Sequence, residues 1–315
     1  MMIPHRIFIF EVTMKRFFSS LLILLLLVSL SASGCSGDGT PRFSRGARAF
    51  AVRLSDGGER AEQAERAERE FFGFSPDDTV LPASVTKLVT ALAALDILPP
   101  DTLVTPGDEV YFPPSGASSA FVRPHHTLTV EMLIEGMLLP SGDDAAYALA
   151  AACGYALLGD GAAGPEAAVV RFVEEMNRFA SDLGCTGTRF TVPDGYAGEE
   201  NHSTLGDMAI IAEAASANEL IMKYAGMHSD EVVYASGHTN TWTNTNKMLD
   251  PESKYYDPAV IGLKTGSLAD SFALVVCYAG EDADYLLALF GEPSDKARYR
   301  DMEKLIGWVK QEETR

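Results

Sequence analysis

The chain has 315 residues, 22% charged and 47% hydrophobic, a globular composition with room for one large domain or two modest ones. Its 25 basic and 44 acidic side chains leave a formal charge of −19. That argues against a nucleic-acid partner or a polybasic face docked on anionic lipid, since both need clustered Lys and Arg. There is no Cys-x-x-Cys pair and no His-Glu-x-x-His, and the 6 histidines show no ligand spacing, so no metal or other cofactor is expected.

Met14-Lys15-Arg16 precedes an apolar run over residues 17–30, broken only by Ser19, Ser20 and Ser29. A short basic stretch, an apolar run of this length and then small residues make an export signal. A spanning helix needs ~20 apolar residues, more than this run supplies. The run ends in Leu30-Ser31-Ala32-Ser33-Gly34-Cys35, similar to a bacterial lipobox whose Cys is diacylated, with Ala32 where a larger aliphatic residue is usual. The expected organisation is a signal over residues 1–34, a Gly/Ser/Arg-rich tether over 35–46 that begins at lipidated Cys35, and one domain over 47–315. Such a protein works at the outer face of the cytoplasmic membrane. Ordinary cleavage nearby and an uncleaved anchor are the alternatives.

Residues 47–54 alternate, with Phe50, Val52 and Leu54 on one face, and predict a strand. After an Asp56-Gly57-Gly58 turn, the charge-dense run 60–70 places Ala61, Ala64 and Ala67 at threefold spacing, which predicts a solvated helix. Helices then dominate to about residue 240. Pro165 opens one whose face carries Val169, Phe172, Val173, Met176, Phe179 and Leu183, and Gly184 closes it. Thr204-x-x-Asp207 has the form of a capping box. Strands are expected over 260–265, 272–279 and 285–290. A last amphipathic helix over 298–309 is striped by Met302, Leu305, Ile306 and Val309. A strand early, helices in the middle and strands late predict an α/β (α+β) fold, a sheet closed by distant segments around a helical lobe at about 88–240. Cys277 falls in an apolar strand and behaves as a small hydrophobe; whether Cys153 and Cys185 pair is open at this level.

Three segments carry chemistry. Ser84-Val85-Thr86-Lys87 is followed by Leu88, Leu92 and Leu95 at helical spacing, so Ser84 stands at a helix start with Lys87 one turn on, on the same face. A serine hydroxyl is inert until a neighbour takes its proton, and a lysine does so only when burial, a helix N-terminus or another cation keeps it neutral. Alone this spacing is weak, arising by chance about once in such a chain. Ser141, in Leu139-Pro140-Ser141-Gly142-Asp143-Asp144, sits at a break between two apolar helices. Lys264-Thr265-Gly266 ends a strand, where a cation, a hydroxyl and a Gly admitting close backbone approach suit a substrate carboxylate. Together and in this order they match the motif set of serine β-lactamases and penicillin-binding proteins.

The chain resembles the low-molecular-mass penicillin-binding proteins that are serine D-alanyl-D-alanine carboxypeptidases. The likeness extends to Thr90-Ala91-Leu92, to Leu128-Thr129-Val130-Glu131, to residues 190–195 and 202–209, and to Asn244-Thr245-Asn246-Lys247-Met248-Leu249, covering residues 47–311. It implies an antiparallel sheet flanked by helices, β-lactamase/transpeptidase-like, with the site between sheet and helical lobe. It implies peptidoglycan pentapeptide stems as substrates and β-lactams as inhibitors. By matching positions, Ser84 is the acylated nucleophile, Lys87 its general base and Ser141 the proton relay. Lys264, Thr265 and Gly266 take the terminal carboxylate, and the N–H groups of Ser84 and Ser267 form the oxyanion hole. A β-lactamase of this fold and a non-catalytic binding lipoprotein are the competing readings.

Two positions depart from the family pattern. Asp143 stands where Asn is usual, facing substrate, and Ile261 where Asp is frequent; Ile261 is expected to pack at its strand. Asp143 can lie against Lys87 and weaken the base, be held by Lys264 or another cation and spare it, or stay protonated. With every other catalytic position intact, the second arrangement is expected. His202 and Asn201 are expected to hydrogen-bond structurally, His125-His126 to lie in a solvent loop, and Asn244 and Asn246 either to frame the site or to bond turns.

Overall fold

The computed structural model describes residues 41–54, 69–72, 75–159 and 164–314. The signal-like run, Cys35, the first part of the tether, the Asp56-Gly57-Gly58 turn and most of the charge-dense run lie outside them. Five strands form an antiparallel sheet: β1 (Arg48–Arg53), β2 (Arg69–Phe71), β3 (Lys264–Leu268), β4 (Ser271–Ala279) and β5 (Asp284–Glu292), in the order β2-β1-β5-β4-β3. The first and last of these strands pair side by side, with Phe50 opposite Ala288 and Val52 opposite Leu286. The end of the charge-dense run, expected as helix, is instead β2, because Phe71 pairs opposite Phe50 on β1.

Side chains alternate across a strand, and both faces of this sheet are covered. Phe50, Val52, Val275, Cys277, Leu286, Ala288 and Phe290 join the core beneath the helical lobe. Ala49, Ala51, Leu274, Val276, Leu287 and Leu289 join a second core under α7 (Asp295–Glu312). Met302, Leu305, Ile306 and Val309 fill that core, as the stripe predicts, and Tyr299 joins them; each such aliphatic side chain contributes roughly 1.5–3 kcal/mol relative to exposure. Burial on both sides explains why β4 reads as one apolar run. The last helix starts three residues before its expected first residue because Ser294 caps it, accepting from Ala297 N. Residues 42–46, expected as tether, are bound to this helix: Ser44 N and Oγ both donate to Asp301 Oδ2 at 2.7 Å, and Lys304 Nζ donates to Arg42 O.

The lobe comprises α1 (Lys87–Ile97), α2 (Val130–Leu138), α3 (Asp143–Leu158), α4 (Pro165–Asp182), α5 (Leu205–Ser216) and α6 (Glu219–Ala225), with a hairpin pairing Ser229–Val233 and Thr239–Thr243. Helix α4 begins at Pro165 and gives way to Gly184 at φ +94°, as expected. Thr204 caps α5 through Asp207 N, but the Asp207 carboxylate turns away to Gly187 N and Thr188 Oγ1, so the box is half formed. The strand expected over 260–265 becomes a regular ladder only at Lys264, although Ile261 N and Leu263 N do bond Cys277 O and Val275 O. Ile261, expected to pack, is 37% exposed. Cys153, Cys185 and Cys277 are all buried, and no disulfide joins the first two.

Candidate active site

Ser84 and Lys87 lie where a short 3-10 turn, Ala83–Thr86, runs straight into α1. Val85, Leu88, Val89 and Leu92 drive the element into the core, which leaves Ser84 half-buried and Lys87 fully buried. The three Lys87 Nζ hydrogens have three acceptors: Ser84 Oγ at 3.0 Å, Asp143 Oδ1 at 2.5 Å and Asp194 O at 2.8 Å. The expected nucleophile and base are thus in hydrogen-bond contact.

Asp143 opens α3. Its Oδ2 accepts from Ser118 N at 3.0 Å, and its own N–H bonds Ser118 O. The expectation that Lys264 or another cation outside the base holds this carboxylate is therefore corrected: its partner is Lys87. The reason is reach. Asp143 is 1% exposed and aimed at the Lys87 ammonium, so it bonds the base rather than standing open to substrate as Asn would. Ser141, two residues earlier, turns the chain between α2 and α3 at φ +62° and is buried.

Strand β3 forms the opposite wall. A Cβ on Gly266 would stand 2.8 Å from Pro82 O and 3.1 Å from Ala83 Cβ, so only Gly lets this edge lie against the nucleophile turn. Lys264 is 1% exposed and donates to Thr265 O. Burial first, then the Lys87 cation, push its ammonium well below the ordinary lysine range; Asp143 opposes and Arg298 adds to the shift. Thr265 Oγ1 lies 2.5 Å from Thr245 Oγ1. Sequence reasoning missed Arg298. From the first turn of α7 its Nη1 donates to Gly266 O at 2.9 Å and Ser267 Oγ at 3.1 Å, and its Nη2 pairs with Asp295. Its one signal was an Arg on the buried side of an otherwise apolar stripe.

Asp194 was missed as well. Its backbone carbonyl receives Lys87, while its carboxyl is buried with Oδ2 unpartnered. Burial outweighs the Lys87 cation and raises that carboxyl to about 6, with Asp143 adding to the rise. Asn201 bonds Thr86 Oγ1 and Thr191 N, His202 bonds Glu199 O, and Asn244 bonds the Ala225 and Met227 carbonyls, all structural roles. Asn246 Oδ1 likewise accepts Met248 N. His126 is no solvent-loop residue: it is 3% exposed and stacks on His238 at 4.5 Å between centroids, beside Tyr234. Among the described residues no group of three or more His, Cys, Asp or Glu side chains is placed to hold a metal ion.

A serine with a buried lysine behind it, faced by a Lys-Thr-Gly strand edge, is the arrangement of an acyl-transfer site. The D-alanyl-D-alanine carboxypeptidase family model matches residues 74–286. The chain belongs to that family. Its curated relatives include the D-alanyl-D-alanine carboxypeptidase DacF of Bacillus subtilis, 27% identical over 305 residues, 94% of this chain and 71% of that protein. They also include DacC of Escherichia coli, 28% identical over 242 residues, 74% of this chain but only 56% of the relative. The crystal structure of the Streptomyces K15 DD-transpeptidase superposes with a TM-score of 0.68 at 27% identity, covering 82% of this chain and 95% of its own. The fold and the serine D,D-carboxypeptidase reading expected from the sequence both stand with these likenesses.

Proposed function

We propose that this protein removes the terminal D-alanine from peptidoglycan pentapeptide stems through an acyl-enzyme. The Ser84 Oγ to Lys87 Nζ contact of 3.0 Å, with β3 packed against the same turn, is the observation that carries the reading. The substrate's terminal carboxylate lies against Lys264 and Thr265, with the Arg298 cation behind Gly266. In so acidic a chain this local positive charge is what admits a carboxylate, and the carboxylate supplies the counter-charge that buried Lys264 lacks. Ser84 Oγ attacks the penultimate carbonyl carbon and its proton passes to Lys87 as free amine. The oxyanion is stabilised by the N–H groups of Ser84 and Ser267; removing one such donor typically costs ~10²–10³ in rate. Ser141 relays that proton from Lys87 to the departing amine, the C–N bond breaks, and water later hydrolyses the Ser84 ester.

Export and lipid attachment at Cys35 complete the proposal, placing the domain at the outer face of the cytoplasmic membrane. Among the described residues no helix is long and apolar enough to cross a membrane. β-Lactams, which present a strained amide in place of the D-Ala-D-Ala bond, acylate Ser84 as inhibitors. The test is release of free D-alanine from a peptide ending in D-Ala-D-Ala; the reading requires release by the wild type and none by Ser84→Ala.

A further inference from the structure

Thr245 stands where three parts of the site meet. Its N–H donates to Leu139 O at 3.1 Å, at the start of the turn that carries Ser141. Its carbonyl accepts from Tyr299 Oη at 3.0 Å, and the same phenol oxygen accepts from Lys247 N at 3.1 Å, so α7 holds the segment from behind. Its side-chain hydroxyl lies 2.5 Å from Thr265 Oγ1 on β3. The asparagines on either side serve the backbone. Asn244 Oδ1 accepts from Asn246 N at 2.9 Å and Asn246 Oδ1 from Met248 N at 3.1 Å, two Asx turns that fix the path of the chain through Thr245.

The segment is thus held without the hydroxyl pair. A β-branched side chain on so fixed a backbone has little rotamer freedom, and its hydroxyl is directed at Thr265, which is 4% exposed. Each hydroxyl owns one hydrogen and can also accept at its oxygen. A carboxylate only accepts, so Thr265 binds one by giving it that single hydrogen. The hydrogen between the two hydroxyls then comes from Thr245. In the reverse arrangement, with Thr265 donating to Thr245, a lone pair would face the incoming anion. The chain Thr245 O–H to Thr265 O–H to carboxylate polarises each bond in turn and strengthens both.

We propose that Thr245 is a positioning residue for the substrate's terminal carboxylate: its hydroxyl donates to Thr265 Oγ1 and turns the Thr265 hydrogen toward the substrate. It acts through Thr265 rather than on the substrate. The inference rests on the carboxypeptidase reading and adds how the Lys-Thr-Gly edge is set before the substrate arrives, so that little freedom is lost on contact.

Thr245→Val and Thr245→Ala remove the hydroxyl, the first keeping the shape; Thr245→Ser keeps the hydroxyl. In D-alanine release from a peptide ending in D-Ala-D-Ala, both hydroxyl-free variants are expected to raise KM about fivefold, the scale of one neutral hydrogen bond. They should leave kcat within about twofold, because the carboxylate is held alike before and during reaction. Thr245→Ser should return KM to within about twofold of wild type, the remainder reflecting its freer rotamers. A second readout separates orientation from packing: acylation by benzylpenicillin, which also carries a carboxylate, in Thr265→Val with and without Thr245→Val. With no Thr265 hydroxyl to orient, Thr245→Val should change the second-order rate by less than about twofold, against about fivefold when Thr265 is present. An equal loss in both backgrounds, a Ser variant as poor as Val, or no loss in either hydroxyl-free variant would overturn the proposal. A wild type that is acylated by benzylpenicillin but releases no D-alanine would overturn the carboxypeptidase reading instead, and the coupling in acylation would still decide the role of Thr245.

Discussion

Lys87 Nζ stands 2.5 Å from Asp143 Oδ1, and neither side chain is more than 2% exposed. An ammonium bonded at once to Asp143, Asp194 O and Ser84 is not a base; it becomes one only after losing a proton from within this pair. Asp143→Asn keeps the shape and the acceptor for Ser118 N while removing the charge. Acylation by a chromogenic β-lactam at neutral pH is expected to rise about tenfold, equivalent to ~1.4 kcal/mol of barrier. Folding stability should fall at the same time, by up to about 3–5 kcal/mol, because a buried cation loses its counter-ion. Stopped-flow rates at neutral pH and a denaturant titration check both halves.

Gly266→Ala tests how closely the carboxylate-binding edge must approach the nucleophile. The new Cβ would meet Pro82 O at 2.8 Å, backbone that cannot swing aside, so β3 must move off the turn. A displacement near 1 Å in a catalytic wall costs about 10²-fold, and this loss is expected in β-lactam acylation with only a modest fall in Tm.

Glu135 gives the stability a pH dependence. Burial, with Asp230 adding to it, raises its carboxyl to about 8 from an ordinary 4.5, and its Oε1 has no partner. The folded state therefore holds a proton that the unfolded state gives up between pH 4.5 and 8, so this contribution to stability is present at low pH and lost as pH rises through that window. Glu135→Gln should leave Tm nearly unchanged at pH 4.5 and raise it by several degrees at pH 8. Equal shifts at both pH values would contradict the assignment.

Anchoring is tested at Cys35. In a bacterial host, Cys35→Ala should move the protein from the membrane fraction to the soluble one; unchanged retention would point to an uncleaved apolar anchor.

Much of the site was legible because its key contacts are local. Ser84 and Lys87 are three residues apart on one turn, so spacing alone places them together. The alternation in β1 and the stripe of α7 likewise follow from periods of 2 and 3.6 residues. What the sequence hid depends on packing between distant elements. The partner of Asp143 is 56 positions away, and choosing Lys87 over Lys264 required knowing how α3 meets α1. Arg298 reaches Ser267 across 31 positions, from a helix whose pattern speaks only of its apolar face. His126 read as loop because its burial comes from Tyr234 and His238 on a hairpin more than a hundred residues later.

The central claim is that Ser84 is the nucleophile. It is tested most directly by incubating the folded protein with benzylpenicillin, measuring the intact mass and mapping the adduct by peptide mass spectrometry. The account predicts a single penicilloyl group on the peptide containing Ser84, absent from Ser84→Ala. A label on any other peptide, or no label on folded wild-type protein, would contradict it.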